Sequence, residues 1–163
     1  MLFSIPFFNS LLALSLGVAL PAVGCGVSSE RAGALASQDL SDRFVLLGTG
    51  ERSGIEETLV GVARDADTWK AFWLRHDPEG PIPPIDFSRD MGILVIRPHT
   101  TGGYHLRIEN LEQRSEKLIL TLIEEQPRED DLVIQVLTQP WVALRCKHFA
   151  GPVQLQVIPR PRP

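Results

Sequence analysis

The stretch from Ile85 to Ile108 (IDFSRDMGILVIRPHTTGGYHLRI) constrains the fold more than any other part of the chain. Asp90 to Arg97 reads as a strand, and its Ile93-Leu94-Val95-Ile96 core is apolar at both parities. A strand of that kind must be covered on both faces, so it lies at the centre of a sheet. Thr100-Thr101-Gly102-Gly103-Tyr104 follows as a turn. Glycine enters positive φ at little cost, so Gly102-Gly103 reads as a hairpin turn. Beyond it, Tyr104, Leu106 and Ile108 alternate with His105, Arg107 and Glu109, the pattern of a half-exposed strand.

Other runs extend the sheet. Phe44 to Leu47 is a short apolar strand ending in Gly48-Thr49-Gly50, and Glu57 to Ala63 is a second, rich in β-branched residues. Lys117 to Glu124 (KLILTLIE) is apolar on both faces, after a polar turn region from Asn110 to Glu116. Gln126 to Asp131 reads as a charged loop, and Leu132 to Thr138 and Val153 to Ile158 as further strands. One segment has helical spacing: Ala66, Trp69, Phe72, Trp73 and His76, with Asp65 or Asp67 as cap and a stop at Asp77-Pro78. Its aromatic stripe reads as packing against a sheet. The proline-rich loop from Pro78 to Pro84 blocks strand pairing. The expected fold is α+β: a mostly antiparallel β-sheet of about seven strands, with one helix around 66–76 packed on one face. Residues 160–163, within the run Pro159-Arg160-Pro161-Arg162-Pro163, are expected to fray.

The N-terminal part has a different character. No charged side chain precedes Glu30, and Leu2 to Val23 is mostly apolar. This reads as a signal peptide over 1–24. Ala22-Val23-Gly24-Cys25 has the form of a lipobox, in which small residues admit the peptidase and the cysteine thiol takes a diacylglycerol; Ala22 stands where leucine is usual. Residues 25–42 read as a small, polar tether, leaving 43–159 as the folded domain. A protein lipidated at Cys25 sits at the cell envelope, on the periplasmic or extracellular face of a bacterial membrane. An ordinary cleaved signal would make it secreted instead.

The 16 Lys and Arg against 20 Asp and Glu give a formal net charge of −4. With no basic patch and interleaved aromatics, nucleic acid is not an expected partner. Cys146 reads as a buried apolar cysteine, a disulfide to Cys25 being the competing reading. Cys146 and His148 share strand parity, which makes a thiol–imidazole pair geometrically conceivable. No oxyanion-hole signature or orienting third group accompanies them, so the chain is not expected to be an enzyme. His76, His99, His105 and His148 show no metal-ligand spacing and read as exposed turn and strand residues. Glu124, Glu125, Glu129, Asp130 and Asp131 read as a solvated acidic rim without the glycine bend of a calcium loop. No metal or cofactor is expected.

From Arg43 to about Ile158 the chain resembles the C-terminal domain of PrcB-type protease-complex subunits. The pieces that carry the likeness are Ser53-Gly54-Ile55, Trp69 and Trp73 on the helix, and Ile85-Asp86-Phe87-Ser88 with Met91. Thr101-Gly102-Gly103-Tyr104 with Ile108, and Thr138-Gln139-Pro140-Trp141, complete the set. The resemblance implies an exported, often lipid-anchored, non-catalytic protein that supports or stabilises a surface protease. Pro98 to Tyr104 also looks like the NPTTGY loop of chagasin-type cysteine-protease inhibitors with one extra glycine, and Gln139-Pro140-Trp141 like their RPW motif. The helix has no place in that inhibitor sandwich. Together these readings make Thr100, Thr101, Gly102, Gly103, Tyr104, Pro140 and Trp141 the candidate partner-binding residues, with a protein, such as a protease, as the partner. Inhibition through the 98–104 turn is the alternative.

Overall fold

The computed structural model describes residues 43–162. Its elements run β1 (Phe44–Gly50), β2 (Leu59–Ala63), α1 (Ala66–His76), β3 (Asp90–Ile96), β4 (His105–Arg114), β5 (Lys117–Gln126), β6 (Trp141–Lys147) and β7 (Val153–Pro161). Seven strands and one helix confirm a mostly-β α+β fold, but the strands form two sheets, not one. The first has the order β1-β6-β3-β2 and the second β4-β5-β7. All pairings are antiparallel except β5 with β7.

Strand parity explains the layering. Met91, Ile93 and Val95 of β3 and Val142, Leu144 and Cys146 of β6 leave one face of the first sheet. They meet Leu106, Ile108 and Leu111 of β4 and Leu118, Leu120 and Leu122 of β5 in a continuous core between the sheets. The opposite parity, Leu94, Ile96 and Ala143, packs with Ile55, Ala63, Trp69 and Trp73 beneath α1. β3 is therefore buried throughout, as its two-faced apolarity requires. Asp65 caps α1: its carboxylate accepts from Thr68 N (2.8 Å) and Thr68 Oγ1 (2.8 Å), while Asp67 sits in the first turn.

Two expectations need correction, and one strand is unexpected. Gly102-Gly103 does not make a hairpin, because β3 and β4 belong to different sheets and the chain crosses between them there. The hairpin lies later, joining β4 to β5 around Ser115, which takes φ 52°. Leu132 to Thr138 forms no strand, and only an isolated bridge joins His99 to Thr138. The missing strand is β6, whose Trp141-Val142-Ala143-Leu144-Arg145 run holds the centre of the first sheet between β1 and β3.

The C-terminal run is also ordered as a ladder. β7 pairs with β5 as far as Gln126↔Pro161, and Arg162 N donates to Gln126 O (2.9 Å). β7 is an edge strand, so Pro159 and Pro161 can sit at alternate positions whose missing N–H would face away from β5.

Candidate functional site

Beyond β3 the chain keeps running against the approach to β6. Arg97 N donates to Pro140 O (2.9 Å), and His99 exchanges backbone bonds with Thr138 (2.9 and 3.0 Å). The turn then reverses, held by Thr138 Oγ1 donating to Thr101 O (2.9 Å) and Gly102 N donating to Ile134 O (2.9 Å). The two glycines are explained by what lies on them. A Cβ on Gly102 would come 2.8 Å from Ile134 Cγ1. Gly103 has φ +91°, and a Cβ there would stand 3.1 Å from Val133 Cγ1 and 3.2 Å from Pro127 Cβ. Residues 132–137 thus lie as a strap across the turn.

A buried carboxylate anchors the other side. Glu124 shares the parity of Leu118, Leu120 and Leu122, so it points into the end of the inter-sheet core. Its Oε1 accepts from Arg97 Nε (2.7 Å) and lies 3.1 Å from His99 Nε2. Burial pushes the carboxyl toward protonation, but Arg97 and then His99 outweigh it and hold it below its ordinary value. The His99 ring in turn stacks on Tyr104, 3.7 Å between centroids and 3° from parallel. Glu124 is therefore not part of a solvated rim, while Glu129, Asp130 and Asp131 are exposed.

The candidate partner-binding residues divide. Thr100 is exposed, Thr101, Gly103 and Tyr104 are half-buried, and Gly102 is buried under the strap. A wedge built on this turn would first have to displace residues 132–137. Pro140 is buried, and Trp141 is half-buried in the helix-side layer. The Trp141 ring lies over Gly48 and Gly50 and meets Trp73 (6.0 Å, 89°) and His76 (4.2 Å, 64°) edge-on. Among the described residues no ring contact joins Tyr104 to Trp141. Cys25 lies outside the described residues.

Three of the four histidines are more engaged than exposed strand residues would be, while His148 is exposed. His76 is buried, its Nδ1 2.9 Å from Ser53 Oγ, and burial pushes its pKa down despite the neighbouring Asp77. His105 Nδ1 lies 3.2 Å from Glu51 Oε1, and its Nε2 faces the Arg162 guanidinium.

Cys146 and His148 line one open cleft with Arg43 and Phe149, about 440 Å³ in volume. Burial, with Asp90 adding to it, pushes the thiol up to about 12, so the sulfur stays protonated at neutral pH. No hydrogen bond joins the two side chains.

The strap itself is what sequence reading missed. Leu132 is 104% exposed, Ile134 65%, Val136 54% and Leu137 64%. In sequence the run Leu132-Val133-Ile134-Gln135-Val136-Leu137 has the composition of a core strand, which concealed it. The usable signal is an apolar run, broken only by Gln135, between an acidic run and Thr138-Gln139-Pro140, without the alternation a half-buried strand shows.

The family described as PrcB C-terminal matches residues 96–147. The match spans the crossing turn, β4, β5, the strap and β6, so the resemblance holds over the segment that builds this site. Ser53 to Ile55, Trp69, Trp73 and Ile85 to Met91 lie outside it. No curated protein and no solved structure matches the chain.

Proposed function

We propose, from the premise that residues 96–147 match the PrcB C-terminal family, that this chain is a non-catalytic protein-binding module tethered at the cell envelope. The observation that carries the reading is the strap: Leu132, Ile134, Val136 and Leu137 stand exposed together on a turn locked by Glu124, Arg97 and His99. Grouped large apolar side chains on a surface cost solubility and mark contact sites. The partner is a protein, and a surface protease is the class that the family resemblance favours. The protonated, buried thiol of Cys146 supports a role without covalent chemistry.

The test is capture with the full chain as bait from envelope extracts, comparing wild type with an Ile134→Asp, Val136→Asp double variant. A recovered protease should fall at least tenfold with the variant, since about 1.5 kcal/mol or more is at stake for each buried apolar side chain. The melting temperature should fall little, because more than half of each residue is already solvated. Equal capture would remove the strap from the binding surface.

Lipid anchoring has its own test. Each buried methylene of an acyl chain contributes about 0.8 kcal/mol, so loss of the chains should abolish membrane retention. Cys25→Ala is expected to move the protein from the membrane pellet to the soluble fraction. A variant that still sediments with membranes would exclude attachment through Cys25.

A further inference from the structure

We infer that the strap binds its partner by strand addition, taking up an extended polypeptide segment with basic residues beside its apolar ones. This rests on the strap being the contact surface, and adds what occupies it. Among the described residues, none of the backbone N–H groups of Leu132 to Leu137 donates a hydrogen bond. Of their carbonyls only that of Ile134 accepts one, from Gly102. From Leu132 to Gln135, before the chain bends at Val136, this unpaired backbone is the template that an incoming strand completes: its main chain supplies the hydrogen bonds and its side chains cover the apolar ones.

Charge decides between occupants. Glu129, Asp130 and Asp131 lead directly into the strap and are exposed. The nearby cations Arg128 and Arg162 offset this only in part, two guanidiniums against three carboxylates; Arg128 Nε donates to Arg162 O (3.1 Å), and the Arg162 guanidinium meets His105. A second copy paired antiparallel would set this acidic run against the uncharged Thr138-Gln139-Pro140, and a parallel copy would set it against itself. An anionic lipid surface would be repelled. A heterologous strand carrying lysine or arginine at its end satisfies both the backbone and the charge.

The probe is a short peptide of alternating valine and threonine with lysines at both ends, titrated by fluorescence anisotropy against the full chain in detergent. Two control peptides carry glutamates in place of the lysines, or N-methyl groups at alternate backbone nitrogens. The lysine peptide should bind about tenfold more tightly than the glutamate peptide at low salt, with the gap closing as salt rises. N-methylation should weaken it about tenfold or more, because each blocked N–H removes a ladder bond. Gln135→Pro should do the same from the protein side without shifting the melting temperature, since that N–H bonds nothing within the chain.

Equal binding of the N-methylated peptide would overturn strand addition, and equal binding of the glutamate peptide would overturn the basic partner. Self-association that Gln135→Pro abolishes, with no peptide bound, would make a second copy the occupant and overturn the proposal. So would binding of Cys25→Ala protein to anionic vesicles through the strap. If the peptides fail while the Ile134→Asp, Val136→Asp variant still loses its captured protein, strand addition falls and the contact surface stands.

Discussion

Trp69→Ala is expected to cost about 4 kcal/mol of unfolding free energy, read as a drop in the urea midpoint with little change in slope. Trp69 is only 2% exposed and sits between α1 and the first sheet with Ile55, Ala63, Leu94 and Ile96. Its removal leaves a cavity among large side chains, Trp73, Leu94 and Ile96 with Phe72 and Ile85 packed against them. The indole also reaches out of the core: Nε1 donates to Pro83 O (3.0 Å), tying the proline-rich loop to the helix. Trp69→Phe separates the two contributions, and should cost about 1–2 kcal/mol, mainly for the lost hydrogen bond. Trp73 provides the contrast. Its buried Nε1 has no partner among the described residues, so Trp73→Phe gives up the same volume but relieves an unsatisfied donor. A Trp69→Ala cost below about 1 kcal/mol would mean that α1 is not held by this residue.

Arg97→Ala is expected to cost about 3 kcal/mol near neutral pH, because it strands a buried carboxylate that retains only His99. The pH dependence identifies the cause. In the wild type the Glu124 carboxyl is held below its ordinary value, so its contribution is complete above the unfolded pKa. That contribution is lost as pH falls from the ordinary carboxylate range through the lowered folded value. Without Arg97 the two largest lowering influences are gone, so the folded pKa rises relative to the wild type. The wild type then loses more stability on protonation than the variant does, so the gap between them should narrow as pH falls from about 7 to about 4. Urea titrations across that range check it. A gap that stays constant would assign the loss to packing of the Arg97 side chain and not to charge.

The central strand and the helix were legible because each follows from a local pattern. Ile93 to Ile96 is apolar at both parities, and Trp69, Trp73 and His76 recur at helical spacing behind a capping Asp65. The exchange of Leu132–Thr138 for Trp141–Lys147 was not legible on the same grounds. Both runs have strand composition, and only tertiary pairing with β1 and β3 selects the one carrying Arg145 and Lys147. Those two cations look unsuited to a central strand until Asp90 is placed opposite: Lys147 Nζ and Arg145 Nη1 each lie 3.0 Å from its carboxylate. At the site, sequence located the Thr100–Tyr104 turn but not its cover. The glycines looked like freedom for an outward loop, whereas they make room for Ile134 and Val133. Glu124 was misplaced for a related reason, since its two partners come from a strand end 25 and 27 positions away.

The parallel pairing of β5 with β7 has a consequence for the order in which the second sheet closes. β5 carries the densest apolar run of that sheet, and the strand that completes its outer edge runs to Pro161. The β4–β5 hairpin is local and can form by itself, but its open flank is covered only after the strap, β6 and the following loop have been traversed. Until then the folding chain carries a sticky edge, and a non-local pairing, not local propensity, sets the moment at which it is sealed.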